Sequence, residues 1–204
     1  MNDTFRLTSA KPSIRRIYGK TAVLVALSGL MLALGACQST RTQPDRMESK
    51  YSLKKRKSYI SCIHPAGPEK CALPVRVKER AYREMVSLVE ASRGTRYQYG
   101  GTAPDGFDCS GFVQYLYSTS FQMLLPRSSA DLALLGTIVE RRDLKRGDLL
   151  FFSSNGNVVD HVGIFLGDDR FAHASSSQGI AISTLHQHWY DSRFAFGTRI
   201  IRIE

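Results

Sequence analysis

The order in which hydrophobic patterns follow one another constrains the fold of this chain most strongly. Three segments with helical spacing of apolar residues come first, over about residues 77–92, from residue 109 onward, and over residues 126–136. Helices followed by strands predict an α+β fold, with helices packed on a mostly antiparallel sheet of about five to six strands. The strand-like segments, each bounded by Gly, Asp, Asn or Ser, lie at residues 149–152, 161–166, 170–174, 180–182 and 194–203.

The second helical segment begins at a cysteine. A glycine-rich turn over residues 99–106 precedes it, so the spacing predicts a helix that starts at or near Cys109 with Asp108 as its N-cap. The free N–H groups and the dipole at a helix N-terminus favour a thiolate, which makes Cys109 a candidate nucleophile with a lowered pKa. The alternative is that Cys109 is a small buried apolar residue.

Two histidines lie in strand-like segments and are candidates for a base and its partner. A turn at residues 167–169 joins the segment of His161 to that of His173, so the two strands are expected to pair. Cross-strand neighbours lie about 4.5–5.5 Å apart, which makes a contact between the imidazoles easy to form. Polar residues at a sheet edge are the alternative, and His186 and His188 are expected on the surface.

The net charge of +10 is unevenly distributed. Residues 81–204 carry twelve Lys or Arg and thirteen Asp or Glu, so the excess of positive charge belongs to the N-terminal part. This distribution favours a basic arm near anionic lipid or an anionic polymer over a nucleic-acid-binding domain. A chain of 204 residues with 43% hydrophobic residues is long enough for one substantial core.

The N-terminus has the pattern of a signal peptide. Basic residues precede an apolar run of thirteen residues, 22–34, which is too short for a bilayer core of about 30 Å. The run ends in Leu-Gly-Ala-Cys at 34–37, which resembles the lipobox of bacterial lipoproteins and implies a lipidated Cys37; an ordinary signal peptide is the alternative. Gln38 in place of aspartate resembles lipoproteins of the outer membrane, so we expect the protein in the cell envelope, facing the periplasm.

A polar, basic segment over residues 38–60 predicts a flexible tether. Cys62 and Cys71 follow, separated by eight residues rich in Pro and Gly, and in an exported chain they predict a local disulfide. A zinc site using His64 lacks a fourth ligand nearby. We therefore divide the chain into a signal peptide (1–36), an anchored tether (37–76) and a catalytic domain (77–204).

Six short blocks carry a resemblance to a known family. Together they extend over about residues 78–203, nearly all of the globular part, and they resemble the NlpC-type cysteine peptidases, which cut the stem peptides of peptidoglycan. The blocks are YQYGG at 97–101, GFDCSGFV at 106–113, PRSS at 126–129, RGDLLFF at 146–152, HVGIF at 161–165 and HAS at 173–175.

The resemblance implies a papain-like fold and a role for each matching residue. Cys109 is implied as the nucleophile, His161 as the base and His173 as the residue that orients the base. Tyr97 is implied to line the site and to help bind the carbonyl oxygen. A thiolate–imidazolium pair would form between Cys109 and His161, and neither a metal nor an organic cofactor is implied.

Three further residues near the nucleophile are candidates for substrate binding. Asp108 and Ser110 flank Cys109, although capping and a place in the first helical turn are sufficient structural reasons for both. Arg127 is a candidate for binding an acidic group of the stem peptide, and an ion pair on the protein surface is its alternative.

The expected function is that of a lipid-anchored endopeptidase of cell-wall growth or remodelling. Its partners would be peptidoglycan and, through Cys37, the membrane, without nucleic acid. The bond would be the D-alanyl–diaminopimelate cross-link or the γ-D-glutamyl–diaminopimelate bond, and anchoring on a tether favours the cross-link. A non-catalytic wall-binding lipoprotein and an acyltransferase or amidase are the alternatives.

Overall fold

The computed structural model describes residues 55–204; the expected signal peptide, Cys37 and the tether up to residue 54 lie outside the described residues. None of the helices in the described part is long and apolar enough to cross a membrane.

The helices are α1 (Glu79–Ala91), α2 (Cys109–Phe121), α3 (Ser129–Leu132) and α4 (His188–Asp191), with a 3₁₀ turn at Arg141–Asp143. The strands are β1 (Tyr59–His64), β2 (Gly67–Ala72), β3 (Val75–Val77), β4 (Thr102–Ala103), β5 (Gly106–Phe107), β6 (Met123–Leu124), β7 (Thr137–Val139), β8 (Leu149–Phe152), β9 (His161–Gly167), β10 (Arg170–Ser175), β11 (Gly179–Thr184), β12 (Phe194–Arg199) and β13 (Ile201–Ile203).

A six-stranded antiparallel sheet forms the centre of the domain. Its strand order is β11–β10–β9–β8–β12–β7, and every neighbouring pair is antiparallel. The helix α2 packs against β9 and β10 and also contacts α1. The α+β fold predicted from the order of the patterns is confirmed.

The core is built around α2. Its side chains Phe112, Val113, Leu116 and Tyr117 are 0% exposed, so this helix is enclosed rather than half-buried. At its N-terminal end the backbone passes close to a loop, because a Cβ added to Gly111 would lie 2.0 Å from the Gly101 carbonyl oxygen. Only glycine fits at position 111, because the loop at Gly101 packs directly against the first turn of α2.

The folded part begins earlier than the boundary expected at residue 77. The strands β1 and β2 form a hairpin joined by a Cys62–Cys71 disulfide, and β1 also pairs with β6. The Arg56 guanidinium donates hydrogen bonds to backbone carbonyl oxygens of residues 133, 135 and 136. Residues 55–76 are therefore part of the domain. The sequence of these residues resembles a tether because the hairpin buries few apolar side chains. Ile60 is one of those few.

The last predicted strand, 194–203, divides into two. β12 pairs with β7 and β8 in the central sheet, whereas β13 pairs in parallel with β3. Between them lies Ile200, which is 0% exposed and whose carbonyl oxygen accepts a hydrogen bond from the Val75 N–H. A continuous apolar pattern does not reveal such a change of sheet, because residues 194–203 contain no turn signal at the point where the two strands meet.

Candidate active site

The cysteine at the start of α2 lies where the spacing predicts it. Asp108 is the N-cap residue, and its Oδ1 accepts a hydrogen bond of 2.7 Å from the Gly111 N–H. The cap satisfies one of the free N–H donors of the first helical turn, so the helix begins at Cys109. The thiol is therefore held at a fixed point between the loop and the helix.

Burial determines the protonation of the Cys109 thiol. The residue is 8% exposed, and burial raises the pKa of its thiol above the usual value, although backbone N–H groups of Val162, Ser110 and Cys109 itself act in the opposite direction. The helix end alone predicts a lowered pKa. The structure gives the opposite direction, because the cost of placing a thiolate away from water is larger than the stabilisation by the N–H groups.

The two histidines from neighbouring strands are in direct contact. The Nε2 atom of His161, at the start of β9, lies 2.9 Å from the Nδ1 atom of His173 on β10, and the rings are nearly perpendicular at 88°. Because Nε2 of His161 is used in this contact, Nδ1 is the nitrogen of His161 that remains for a proton from elsewhere. The same cavity is lined by Cys109 and both imidazoles.

Both imidazoles are neutral at neutral pH. Burial lowers the pKa of His161 to about 4, an effect that the carboxylate of Asp160 partly offsets. Burial also lowers the pKa of His173 to about 3, and the neighbouring His161 lowers it further. A neutral thiol thus shares a cavity with a neutral imidazole, so a proton can pass to His161 as the sulfur reacts.

The lowered histidine pKa values predict that the protein loses stability as the pH falls below about 6.5. His173 has a pKa of about 3 in the folded protein, whereas an unfolded histidine titrates near 6.5. Below that pH the unfolded chain binds a proton that the native state excludes. The free energy of unfolding should then fall by about 1.4 kcal/mol per pH unit for this residue. Urea denaturation of the full chain between about pH 6.5 and 5 measures the slope.

Two glutamine variants control this prediction. His173→Gln removes a buried imidazole, whereas His188→Gln removes an exposed one. We expect the slope to become smaller in the first variant and to stay unchanged in the second. Equal slopes in the wild type and in His173→Gln would contradict the link between burial and stability.

Two residues that the sequence analysis missed lie on the far side of His173. Its Nε2 atom is 3.1 Å from the Ser183 Oγ atom and 3.1 Å from the Tyr190 hydroxyl. The pairing of β10 with β11 could have indicated Ser183. His173 lies opposite Ala181, and Ser183, two residues further along β11, points to the same face of the sheet as His173. No sequence pattern points to Tyr190, which comes from the short helix α4.

An ion pair lies directly behind the nucleophile. The Arg127 guanidinium donates from Nη1 to Asp108 Oδ1 at 2.9 Å and from Nη2 to Asp108 Oδ2, and Nη1 also donates to the Ser110 Oγ at 2.8 Å. Burial alone would raise the pKa of Asp108, but hydrogen bonds from Arg127 and from two backbone N–H groups hold it below its usual value. Arg127 therefore forms the ion pair, and Asp108 and Ser110 have structural partners. All three residues also line a cavity that contains Cys109, so their role in substrate binding stays a prediction.

Tyr97 lies beside the thiol. Burial, followed by the nearby Cys109 and Asp108, raises the pKa of its hydroxyl. The hydroxyl therefore stays protonated and remains a hydrogen-bond donor at neutral pH. Tyr97, Cys109 and Asp160 line two adjoining cavities of about 390 and 470 Å³, so a cleft passes over the sulfur.

A bigger cavity of about 880 Å³ lies at the other end of β9 and contains none of the predicted site residues. Several arginines line it, but Arg141, Arg146 and Arg199 are each paired with an acidic side chain. Within residues 55–204, no group of three or more His, Cys, Asp or Glu side chains is arranged to hold a metal ion. The cleft at Cys109 is the place where reactive groups converge.

The family model described as "NlpC/P60 family" matches residues 94–199, which is just over half of the chain. This range contains every residue of the cleft named above. The chain belongs to the NlpC/P60 family. The resemblance inferred from the six sequence blocks is thereby confirmed.

Two relatives of this NlpC/P60 protein have informative names. The "Probable endopeptidase NlpC homolog" of Haemophilus influenzae is 42% identical over 119 residues, which cover 58% of this chain and 63% of that protein. The "Murein DD-endopeptidase MepS/Murein LD-carboxypeptidase" of Escherichia coli is 38% identical over 109 residues, covering 53% and 57%. The matched part thus spans about 60% of the length of these curated relatives.

Solved structures agree with this assignment of the fold. An NlpC/P60 family protein of Bacillus cereus has a TM-score of 0.57 and 25% identity, with coverage of 68% of this chain and 46% of that one. The peptidoglycan hydrolase RipB of Mycobacterium tuberculosis has a TM-score of 0.51 and 29% identity, with coverage of 60% and 66%.

Proposed function

We propose that this protein is a cysteine peptidase that hydrolyses peptide bonds in peptidoglycan. The observation that carries the proposal is the cleft in which the Cys109 thiol and the His161 imidazole face one cavity while His173 holds the other side of His161. The names of the Haemophilus and Escherichia relatives, an endopeptidase and a murein endopeptidase, support the choice of substrate.

The reaction begins from neutral groups. As the Cys109 sulfur attacks the peptide carbonyl carbon, its proton passes to Nδ1 of His161, which becomes an imidazolium. The Nε2–H of that imidazolium donates to Nδ1 of His173. The developing oxyanion accepts hydrogen bonds from backbone N–H groups at the start of α2 and from the Tyr97 hydroxyl, each donor being worth about 2.7–4 kcal/mol in enzymes where this has been measured.

The second half of the reaction restores the thiol. His161 donates its proton to the leaving amine, and a thioester between Cys109 and the acyl part of the substrate remains. A water molecule then gives a proton to His161 and attacks the thioester carbonyl carbon. The thiol leaves with the proton from His161, and the carboxylic acid product is released.

The finer parts of the proposal concern anchoring and the bond that is cut. We place a signal peptide at 1–36, a lipidated Cys37 and a tether up to residue 54, with the enzyme on the periplasmic face of the outer membrane. The sequence at 34–37 supports the anchor, and uptake of an acyl-chain probe by the wild type but not by Cys37→Ala would test it. The word "DD-endopeptidase" in the Escherichia relative's name supports the D-alanyl–diaminopimelate cross-link as the substrate bond.

Masses of the released fragments test the activity and the bond together. The full chain is incubated with purified peptidoglycan, and the soluble muropeptides are analysed by mass spectrometry. Conversion of cross-linked dimers into monomers is the expected result. Shortened dipeptide stems would indicate the γ-D-glutamyl bond instead, and binding to the wall without any released fragment would contradict the proposal and favour a non-catalytic role.

A further inference from the structure

The far side of the histidine pair is enclosed by two hydroxyl groups. His173 is 1% exposed, and both of its ring nitrogens have a neighbour within hydrogen-bond distance. Nδ1 faces the Nε2 of His161, and Nε2 faces both the Ser183 Oγ and the Tyr190 hydroxyl. A neutral imidazole carries one N–H and one acceptor nitrogen, so the tautomer of His173 is coupled to the hydrogen bonds that these neighbours make.

The position of that proton decides whether His161 is a base. If Nδ1 of His173 carried the proton, it would donate to Nε2 of His161, and the proton of a neutral His161 would then be on its Nδ1. That nitrogen could not accept a proton from Cys109. If Nε2 of His173 carries the proton, His161 Nε2–H donates to His173, and His161 Nδ1 is free to accept.

We propose that Ser183 and Tyr190 are positioning residues that accept the Nε2–H of His173 and thereby keep His161 in the tautomer that accepts the Cys109 proton. This inference rests on the proposed function, because it assigns a role within the same catalytic site. A buried N–H without an acceptor is unfavourable, so the two oxygens favour His173 with its proton on Nε2 only as long as at least one remains.

Two separate elements supply the acceptors, and both are fixed in place. Ser183 is 5% exposed and lies on β11, which pairs with the strand of His173. Tyr190 belongs to α4, and its ring packs edge-on against Phe152, Phe171 and His173 at centroid distances of 5.6, 4.9 and 5.2 Å. The adjacent Asp191 forms an ion pair with Arg141, which ties α4 to the rest of the domain.

Burial raises the pKa of the Tyr190 hydroxyl, and the neighbouring Ser183 acts in the opposite direction. Both hydroxyl oxygens have lone pairs that can accept the Nε2–H of His173. Tyr190 in addition lines the cavity that contains Cys109, so the same side chain contacts both the histidine pair and the space for substrate.

The test uses Ser183→Ala, Tyr190→Phe and the double variant in the full chain. Tyr117→Phe is the matched control, because it removes a buried tyrosine hydroxyl that donates to the Gly147 carbonyl oxygen away from the cleft. Nitrogen-15 NMR of the imidazoles reports the tautomer of His173. The rate of Cys109 alkylation by iodoacetamide, read from the mass of its peptide, reports proton acceptance by His161 without any wall substrate.

We expect each single variant to keep one acceptor and to lose about two- to fivefold in kcat and in alkylation rate. The double variant should lose about 10- to 100-fold in both, with KM within about twofold of the wild type and a larger fraction of His173 protonated on Nδ1. Tyr117→Phe should leave all of these values unchanged, even where it lowers the melting temperature.

A double variant with the wild-type His173 tautomer and alkylation rate would overturn the proposal. If the double variant does not fold, the single variants decide: an increased Nδ1–H fraction in at least one supports the proposal, and wild-type tautomers in both overturn it. Failure of the wild type to cut peptidoglycan would contradict only the proposed function, since the NMR and alkylation results do not depend on that substrate.

Discussion

Replacing Cys109 with alanine is expected to lower the release of muropeptides by about 10⁴- to 10⁶-fold, the range found when a catalytic nucleophile is removed from a hydrolase. The reason is that no other free cysteine lies among the described residues 55–204 and that the sulfur occupies the cleft shared with His161. Initial rates on purified peptidoglycan, measured for the full chain at equal concentrations, give the ratio. His161→Ala should show a loss of similar size, because the thiol then has no base.

The control for this experiment is His186→Ala. His186 is exposed and contacts Asp169 at the end of the sheet away from the cleft, so its removal should leave the rate unchanged. Circular dichroism and melting temperature establish that each variant is folded. A folded Cys109→Ala protein that retains more than about a tenth of the wild-type rate would rule out this thiol as the nucleophile.

Replacing Arg199 with methionine is expected to lower the free energy of unfolding by about 3–5 kcal/mol, the cost of leaving a buried carboxylate without its partner. The Asp148 side chain is 1% exposed, and Arg199 donates to both of its oxygens, from Nε at 2.9 Å and from Nη2 at 2.7 Å. Burial raises the pKa of Asp148 even with Arg199 present, so the carboxylate depends on this pair. Urea denaturation at neutral pH measures the change.

An exposed ion pair supplies the matched control. Arg142 contacts Glu140, and both side chains are largely exposed, so Arg142→Met should not change stability measurably. Replacing Asp148 with leucine in the Arg199→Met background should recover part of the loss, because the isolated buried charge is then absent. A loss in Arg199→Met no larger than that in Arg142→Met would show that this pair does not stabilise the fold.

The parts of the site that depend on local chain order could be predicted from the sequence. Asp108 before the helical spacing of α2 determines where Cys109 lies, and a short turn between two strands brings His161 next to His173. These relationships extend over a few residues, or over two strands joined by a turn. Local sequence patterns are therefore sufficient to predict them.

Other features depend on tertiary contacts that no local pattern encodes. The raised pKa of Cys109 results from its burial in the folded domain, which outweighs the helix end that the sequence reveals. Tyr190 reaches His173 only because α4 packs onto the phenylalanines of β8 and β10. The N-terminal hairpin is stabilised by pairing with β6, about sixty residues further along the chain.

Detection of a covalent intermediate on Cys109 tests the catalytic role of this thiol most directly. The full chain is mixed with purified muropeptide dimers, quenched in acid within seconds, digested and analysed by mass spectrometry. The expected result is that the peptide containing Cys109 carries the mass of the acyl part of the substrate, and that this adduct disappears at longer times. Continued release of fragments with Cys109 always unmodified, and with Cys109→Ala equally active, would contradict the role assigned to this sulfur.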